Sequence, residues 1–207
     1  MSSDLVPRTT KRALLRTCVF SAMALSAAGI LALHTLPADA QVAWIFRAPK
    51  DFAEINQVIA EKFPSVPFLT VGDIAAAQGK ADTPVLLDYR AKAEYEVSHL
   101  AGAIWVADLS AARAAIAKVR VSDPKRKVVV YCSVGYRSAD LVNQLMNLPD
   151  RGYSKELYNL RGSIFQWANE GLPLVKLQVG VEVPATQVHP YNSKWGALLQ
   201  PQLRYGG

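Results

Sequence analysis

Lys127-Val128-Val129-Val130-Tyr131 runs straight into Cys132, and Arg137 follows five positions later. A continuous β-branched run of this kind fits a central strand covered on both faces. From Ser138 the pattern changes, with Ala139, Leu141, Val142, Leu145 and Met146 recurring at helical spacing. The unit is strand, Cys, short loop, Arg, helix. It predicts an α/β fold with Cys132 at the carboxyl end of a strand, where parallel sheets bind their ligands. A short loop curling around a thiol turns successive backbone N–H groups inward and makes an anion nest. Gly135 permits a backbone conformation closed to residues with a β-carbon. The positive end of the helix and the charge of Arg137 act in the same direction. All three favour thiolate over thiol, so Cys132 is expected to have a lowered pKa and to be a good nucleophile at neutral pH. The alternative for a lone cysteine is a buried core residue, which needs neither Gly135 nor Arg137.

The rest of the chain supplies the same alternation. Phe52, Ile55, Val58, Ile59 and Phe63 lie at helical spacing before Pro64, so residues 41–66 read as a lead-in containing one helix. Phe68-Leu69-Thr70 is a short strand. Thr70 with Asp73 opens a small Ala-rich helix that ends near Gly79. Val85-Leu86-Leu87 and Ala103-Ile104-Trp105-Val106 are further strands, and 110–119 is helical by composition. Leu157-Tyr158 is a last strand, 163–169 a helix, and Gly171-Leu172-Pro173 an exit turn. Strands alternating with helices imply a central, mostly parallel sheet with helices on both faces. Residues 67–175 are read as the domain. Residues 176–207 are a tail-like extension that carries Tyr191, Trp195 and Tyr205, and it is expected to pack back on the domain, with covering the pocket or binding a partner as the alternatives for 189–196.

The first 40 residues read as a leader. Arg8, Lys11, Arg12 and Arg16 precede an apolar and small-residue run over 17–33, and Ala38-Asp39-Ala40 offers a small-x-small cleavage pattern. Cleavage is expected after Ala40, giving an exported, periplasmic protein. Two alternatives remain: residues 17–33 kept as an uncleaved membrane anchor, and export of the folded protein through Thr10-Lys11-Arg12-Ala13-Leu14-Leu15-Arg16, which is similar to a twin-arginine signal. Without the leader Cys132 is the single cysteine, so an internal disulfide is excluded. There is no Cys-x-x-Cys, and only three His, at positions 34, 99 and 189, so no metal site is expected. The formal charge of +6 falls to +4 without residues 1–40. That mild excess favours small anions. No dense basic stripe with interleaved aromatics points to nucleic acid.

Several ordered motifs resemble the rhodanese family. Val85-Leu86-Leu87-Asp88-Tyr89-Arg90 is similar to that family's first motif, with Tyr89 where a small apolar residue is usual. Glu94-Tyr95 and His99-Leu100-Ala101-Gly102-Ala103-Ile104 are similar to its next segment, and residues 128–138 to its active-site strand and loop. Leu160-Arg161-Gly162-Ser163, Trp167 and Gly171-Leu172-Pro173 are similar to its closing motif, with Ser163 where a second Gly is common. The resemblance implies a rhodanese-like domain that works without a cofactor as a sulfurtransferase. Cys132 would take a sulfane sulfur from thiosulfate or a related donor as a persulfide. The sulfur would pass to cyanide, a small thiol or a protein thiol. Ser133, Val134, Gly135, Tyr136, Arg137 and Ser138 would bind the donor and hold the persulfide. Asp88, Arg90 and Glu94 are expected to form one ion network bracing the loop, and His99 to order a turn. The persulfide has no second cysteine to resolve it, so the acceptor must come from outside.

Two rival functions share these residues. A phosphatase or arsenate reductase also cradles an anion between Cys and Arg, but those families place five residues between the two, and here there are four. A non-turnover persulfide carrier or binding module in the cell envelope would keep the same loop.

Overall fold

The computed structural model describes residues 49–149, 152 and 155–206. The leader, its cleavage after Ala40 and the anchor alternative at 17–33 lie outside the described residues. Among the described residues no helix is long and apolar enough to cross a membrane.

Helix α1 (Phe52–Lys62) starts where the Asp51 carboxylate accepts the Glu54 N–H at 2.8 Å, and it buries Ile55 and Ile59. After β1 (Phe68–Leu69), helix α2 (Val71–Ala77) opens on a reciprocal cap. The Thr70 hydroxyl accepts the Asp73 N–H, and the Asp73 carboxylate accepts the Thr70 N–H. Strand β2 (Val85–Asp88) leads to α3 (Lys92–Val97), a helix that the sequence reading did not mark. It begins where the Glu94 carboxylate accepts the Ala91 N–H at 3.0 Å. Then come β3 (Ile104–Trp105), α4 (Leu109–Ser122), β4 (Val128–Tyr131), α5 (Tyr136–Met146), β5 (Leu157–Leu160) and α6 (Ser163–Asn169).

The five strands form one parallel sheet in the order β1-β5-β4-β2-β3, with β4 at its centre. Alternation along the strands divides the core. Leu86, Val129, Tyr131 and Leu160 face α1, α2 and α6, and pack with Ile55, Ile59, Val71, Ile74, Ile164 and Trp167. Leu87, Val128, Val130 and Leu157 face α4 and α5, and pack with Ala112, Ile116, Leu141, Val142 and Leu145. All four residues of β4 are fully buried, which explains its unbroken apolar run.

The segment read as tail-like is structured. Strands β6 (Leu174–Gln178) and β7 (Val181–Ala185) pair antiparallel across a tight turn, in which Val179 (φ 52°) and Gly180 (φ 78°) are both left-handed. Val-Gly is an uncommon pair for such a turn, which is why the hairpin was not visible. Beyond it lie α7 (Ser193–Gly196) and a 3-10 turn (Pro201–Leu203). The Val188 N–H donates to Leu203 O at 2.7 Å, and the Tyr205 N–H returns to Val188 O at 3.0 Å. Val188 and Leu199 are buried in the same core as Trp167.

Candidate active site

Cys132 directly follows β4 and is 1% exposed. The turn after it is shaped from outside. The first turn of α6 donates the Ile164 N–H to Cys132 O at 3.3 Å and the Phe165 N–H to Ser133 O at 3.0 Å. With those carbonyls drawn towards α6, the following amides are left to face the sulfur. The Gly135 N–H donates to Cys132 Sγ at 3.2 Å. Gly135 has φ 105°, and a β-carbon there would lie 3.3 Å from Leu160 O and 3.4 Å from Ile59 Cδ1. Glycine is therefore required by both conformation and space.

Helix α5 begins at Tyr136, two residues before the expected start at Ser138. Tyr136, Arg137 and Ser138 thus belong to its first turn, and the loop proper is only Ser133, Val134 and Gly135. The early start follows from Gly135, whose left-handed backbone lets the chain enter the helix at once. It also brings the helix's positive end closer to the thiol.

Burial pushes the Cys132 thiol up. The charge of Arg137, hydrogen bonding from Ser138 and the Gly135 N–H outweigh it, so the thiol lies below its ordinary pKa. The hydroxyl proton of Ser138 is committed to Asn159 Oδ1 at 2.7 Å. Its backbone N–H is therefore the steadier donor to the sulfur.

The expected single network of Asp88, Arg90 and Glu94 is two networks. Arg90 forks onto Asp88 (Nε to Oδ1 2.9 Å, Nη2 to Oδ2 2.7 Å) and also donates to Ser98 O at 2.6 Å. This pair ties β2 to the end of α3 and does not reach the loop hydrogen bonds. Glu94 joins the loop instead. Its carboxylate accepts from Arg137 at 3.2–3.3 Å and from the Ser133 hydroxyl at 2.9 Å. Arg137 Nη2 also donates to Ser133 Oγ at 3.0 Å. Burial pushes the Glu94 carboxyl up, but Arg137, the Ala91 N–H and Ser133 together hold it below the ordinary carboxylate value. The separation arises because Glu94 sits on a helix, one turn beyond the strand that carries Asp88.

His99 is fully buried and stands apart from the thiol network. Its Nδ1 lies 3.0 Å from Tyr95 O and its ring stacks on Tyr95 at 3.9 Å. Its Nε2 is 3.4 Å from a carboxylate oxygen of Glu182 on β7, and its backbone pairs with Val175 on β6. These contacts join the hairpin to the segment after α3.

Several residues of the site were missed by sequence reading. Buried Asn159 donates to Gly135 O at 3.1 Å while accepting from Ser138, so β5 holds both ends of the turn. Ser163 Oγ accepts the Cys132 N–H at 3.2 Å. Tyr191 and Trp195 line a pocket of about 190 Å³ with Cys132, Ser133, Val134, Tyr136 and Arg137. Asn159 carries no signal in a strand pattern. Covering the pocket is one of the roles open to the tail aromatics, but nothing local says where they land. Among the described residues no group of three or more His, Cys, Asp or Glu is placed to hold a metal ion.

Residues 70–170 match the rhodanese-like domain family. A sulfurtransferase of Allochromatium vinosum is 48% identical over 59 residues, covering 28% of this chain and 51% of that protein. The match thus spans about half the length of that relative. Among solved structures, a rhodanese-related protein from Thermoplasma volcanium aligns over 53% of this chain and 97% of its own, at 25% identity and a TM-score of 0.41. A thiosulfate sulfurtransferase from Pseudomonas aeruginosa aligns over 62% of this chain and 23% of its own, at 22% identity and a TM-score of 0.47. The sequence motifs, the parallel sheet around β4 and the family match agree: residues 70–170 form a rhodanese-like domain.

Proposed function

We propose that the protein is a sulfurtransferase that carries sulfur on Cys132. The observation supporting this most directly is the state of that thiol. It lies at the carboxyl end of the central strand, opens onto a pocket, accepts the Gly135 N–H and has its pKa lowered. The lowered pKa favours the thiolate, which is the nucleophilic form of a cysteine.

The Cys132 thiolate attacks the outer sulfur of thiosulfate or a similar donor. A bond forms between Sγ and that sulfur, the donor's S–S bond breaks, and sulfite leaves with the electron pair. The anionic persulfide left on Cys132 would be held by the loop N–H groups, as preorganised donors hold developing negative charge. Cyanide or a thiolate then attacks the outer sulfur, and the Cys132 thiolate departs. Cys132 is the one cysteine beyond residue 18, so the acceptor is external, a small molecule or a protein thiol. Ser133 and Arg137 supply polar lining to the pocket, where the anionic part of the donor would sit. Asp88, Arg90 and His99 act as structural supports. The basic lead-in and the small-x-small motif support a place of action in the periplasm, or at a membrane if the leader is retained.

The test is intact mass spectrometry of the protein before and after thiosulfate, beside Cys132→Ser. One added sulfur is expected, absent in the variant and released by cyanide as thiocyanate. No added sulfur from thiosulfate or polysulfide, with turnover of an aryl phosphate instead, would sink this reading. Loading without multiple turnovers would mark a carrier.

A further inference from the structure

The pocket over Cys132 is built from two separate parts of the chain. Its floor is the loop and the first turn of α5, inside the family domain. Its outer wall is Tyr191 and Trp195, which lie beyond residue 170 where the family match ends.

That wall is held in one conformation. Tyr191 has φ 63°, a left-handed backbone that is costly for a residue with a β-carbon. The turn around it compensates. His189 Nδ1 accepts the Tyr191 N–H at 3.1 Å, and Pro190 O accepts the Asn192 N–H at 2.8 Å. Asn192 Oδ1 accepts the Trp195 N–H at 3.0 Å and caps α7. Gly196 packs so closely on Pro190 that a β-carbon would come within 2.7 Å of it. Beneath this turn, Leu199 is anchored in the core. The result places the Arg137 guanidinium over the Tyr191 ring, 4.6 Å from its centre, while Glu94 holds the guanidinium edge.

The chemistry of the two parts differs. Arg137 is already paired with Glu94 through two nitrogens, so only part of its pull is left for a doubly charged inorganic anion. The loop amides still suit one anionic head. The rest of the lining is aromatic and apolar surface from Val134, Tyr136, Tyr191 and Trp195, with more room than a compact inorganic anion fills. We propose that Tyr191 and Trp195 select a sulfane donor with an anionic head on an apolar or aromatic body, an organic thiosulfonate, over inorganic thiosulfate. This rests on the sulfurtransferase reading above. The Cys132 thiolate attacks the terminal sulfur of R-SO2-S⁻. The Sγ–S bond forms, the bond between terminal and sulfonyl sulfur breaks, and R-SO2⁻ leaves with the electron pair.

The experiment compares benzenethiosulfonate with thiosulfate as donor for the full chain, with cyanide as acceptor and thiocyanate as readout. The parent protein is expected to have the higher kcat/KM with benzenethiosulfonate. Trp195→Ala and Tyr191→Ala should each lose about 10-fold with benzenethiosulfonate and less than about 3-fold with thiosulfate. Tyr191→Phe and Trp195→Phe, which keep the rings, should retain the preference, and circular dichroism identifies any variant that fails to fold. Equal losses with both donors, or none, overturn the proposal. Failure of the parent to load sulfur from either donor removes the sulfurtransferase reading itself, and is seen before any variant is made.

Discussion

Arg137 meets four partners at once: Glu94 and Ser133 at its edge, Tyr191 on its face and the Cys132 sulfur through its field. Its charge lowers the thiol pKa against the opposing effect of burial. Arg137→Met should therefore move the pH profile of sulfur uptake to higher pH, because thiolate then forms only in more alkaline solution. Stopped-flow loading from thiosulfate across pH checks this. Making the change together with Glu94→Gln separates it from the cost of an unpaired carboxylate. Gly135 carries a different constraint. Gly135→Ala forces a left-handed alanine against Leu160 O and Ile59. It should cost about 1–2 kcal/mol in chemical denaturation and slow uptake, because the N–H on Sγ moves with the strained backbone.

Helix α3 is short, yet it delivers the carboxylate that fixes α5 against the loop. Glu94 lies below the ordinary carboxylate pKa, so its stabilising contribution is present above the ordinary carboxylate range. It is lost as pH falls through the lowered folded value. Glu94→Gln should destabilise the protein by about 1–3 kcal/mol at neutral pH. The gap to the parent should close as the solution is acidified, and urea unfolding over a pH series measures it. Strand β5 makes the corresponding tie from below through Asn159. Asn159→Ala frees the Ser138 hydroxyl and leaves Gly135 O without its side-chain donor. A loss of about 1–3 kcal/mol is expected in the same measurement, since one buried polar partner is removed.

At the scale of the whole molecule, the segments flanking the family domain are part of its core. From the amino-terminal side, Phe63 meets the Tyr136 ring edge-on at 5.4 Å, and Ile59 packs under Gly135. From the carboxyl-terminal side, Val188 and Leu199 are buried beside Trp167, and Asn169 bonds to Leu198 and Gln200. Leu199→Ala should cost about 2–5 kcal/mol, as for other buried Leu truncations. It should shift a single cooperative transition rather than create a second one. Denaturation followed by both tryptophan fluorescence and far-ultraviolet circular dichroism decides between the two outcomes.

What the amino-acid sequence determined by itself was the unit at the centre: an apolar strand, Cys132, a glycine turn and a helix. Each part is written in adjacent residues, as β-branched continuity, a residue without a β-carbon and a helical period. The parallel α/β class followed from repetition of that alternation, and the family from ordered motifs between Val85 and Pro173. Tertiary structure alone decided which side chains brace the loop and what closes the pocket. Glu94 and Arg137 are 43 residues apart, Ser138 and Asn159 are 21 apart, and Tyr191 comes from beyond the β6–β7 hairpin. Local pattern shows that a residue is polar or aromatic and which face of its element it takes. Its distant partner is set by how the elements pack, because only packing brings such groups within hydrogen-bonding or stacking range.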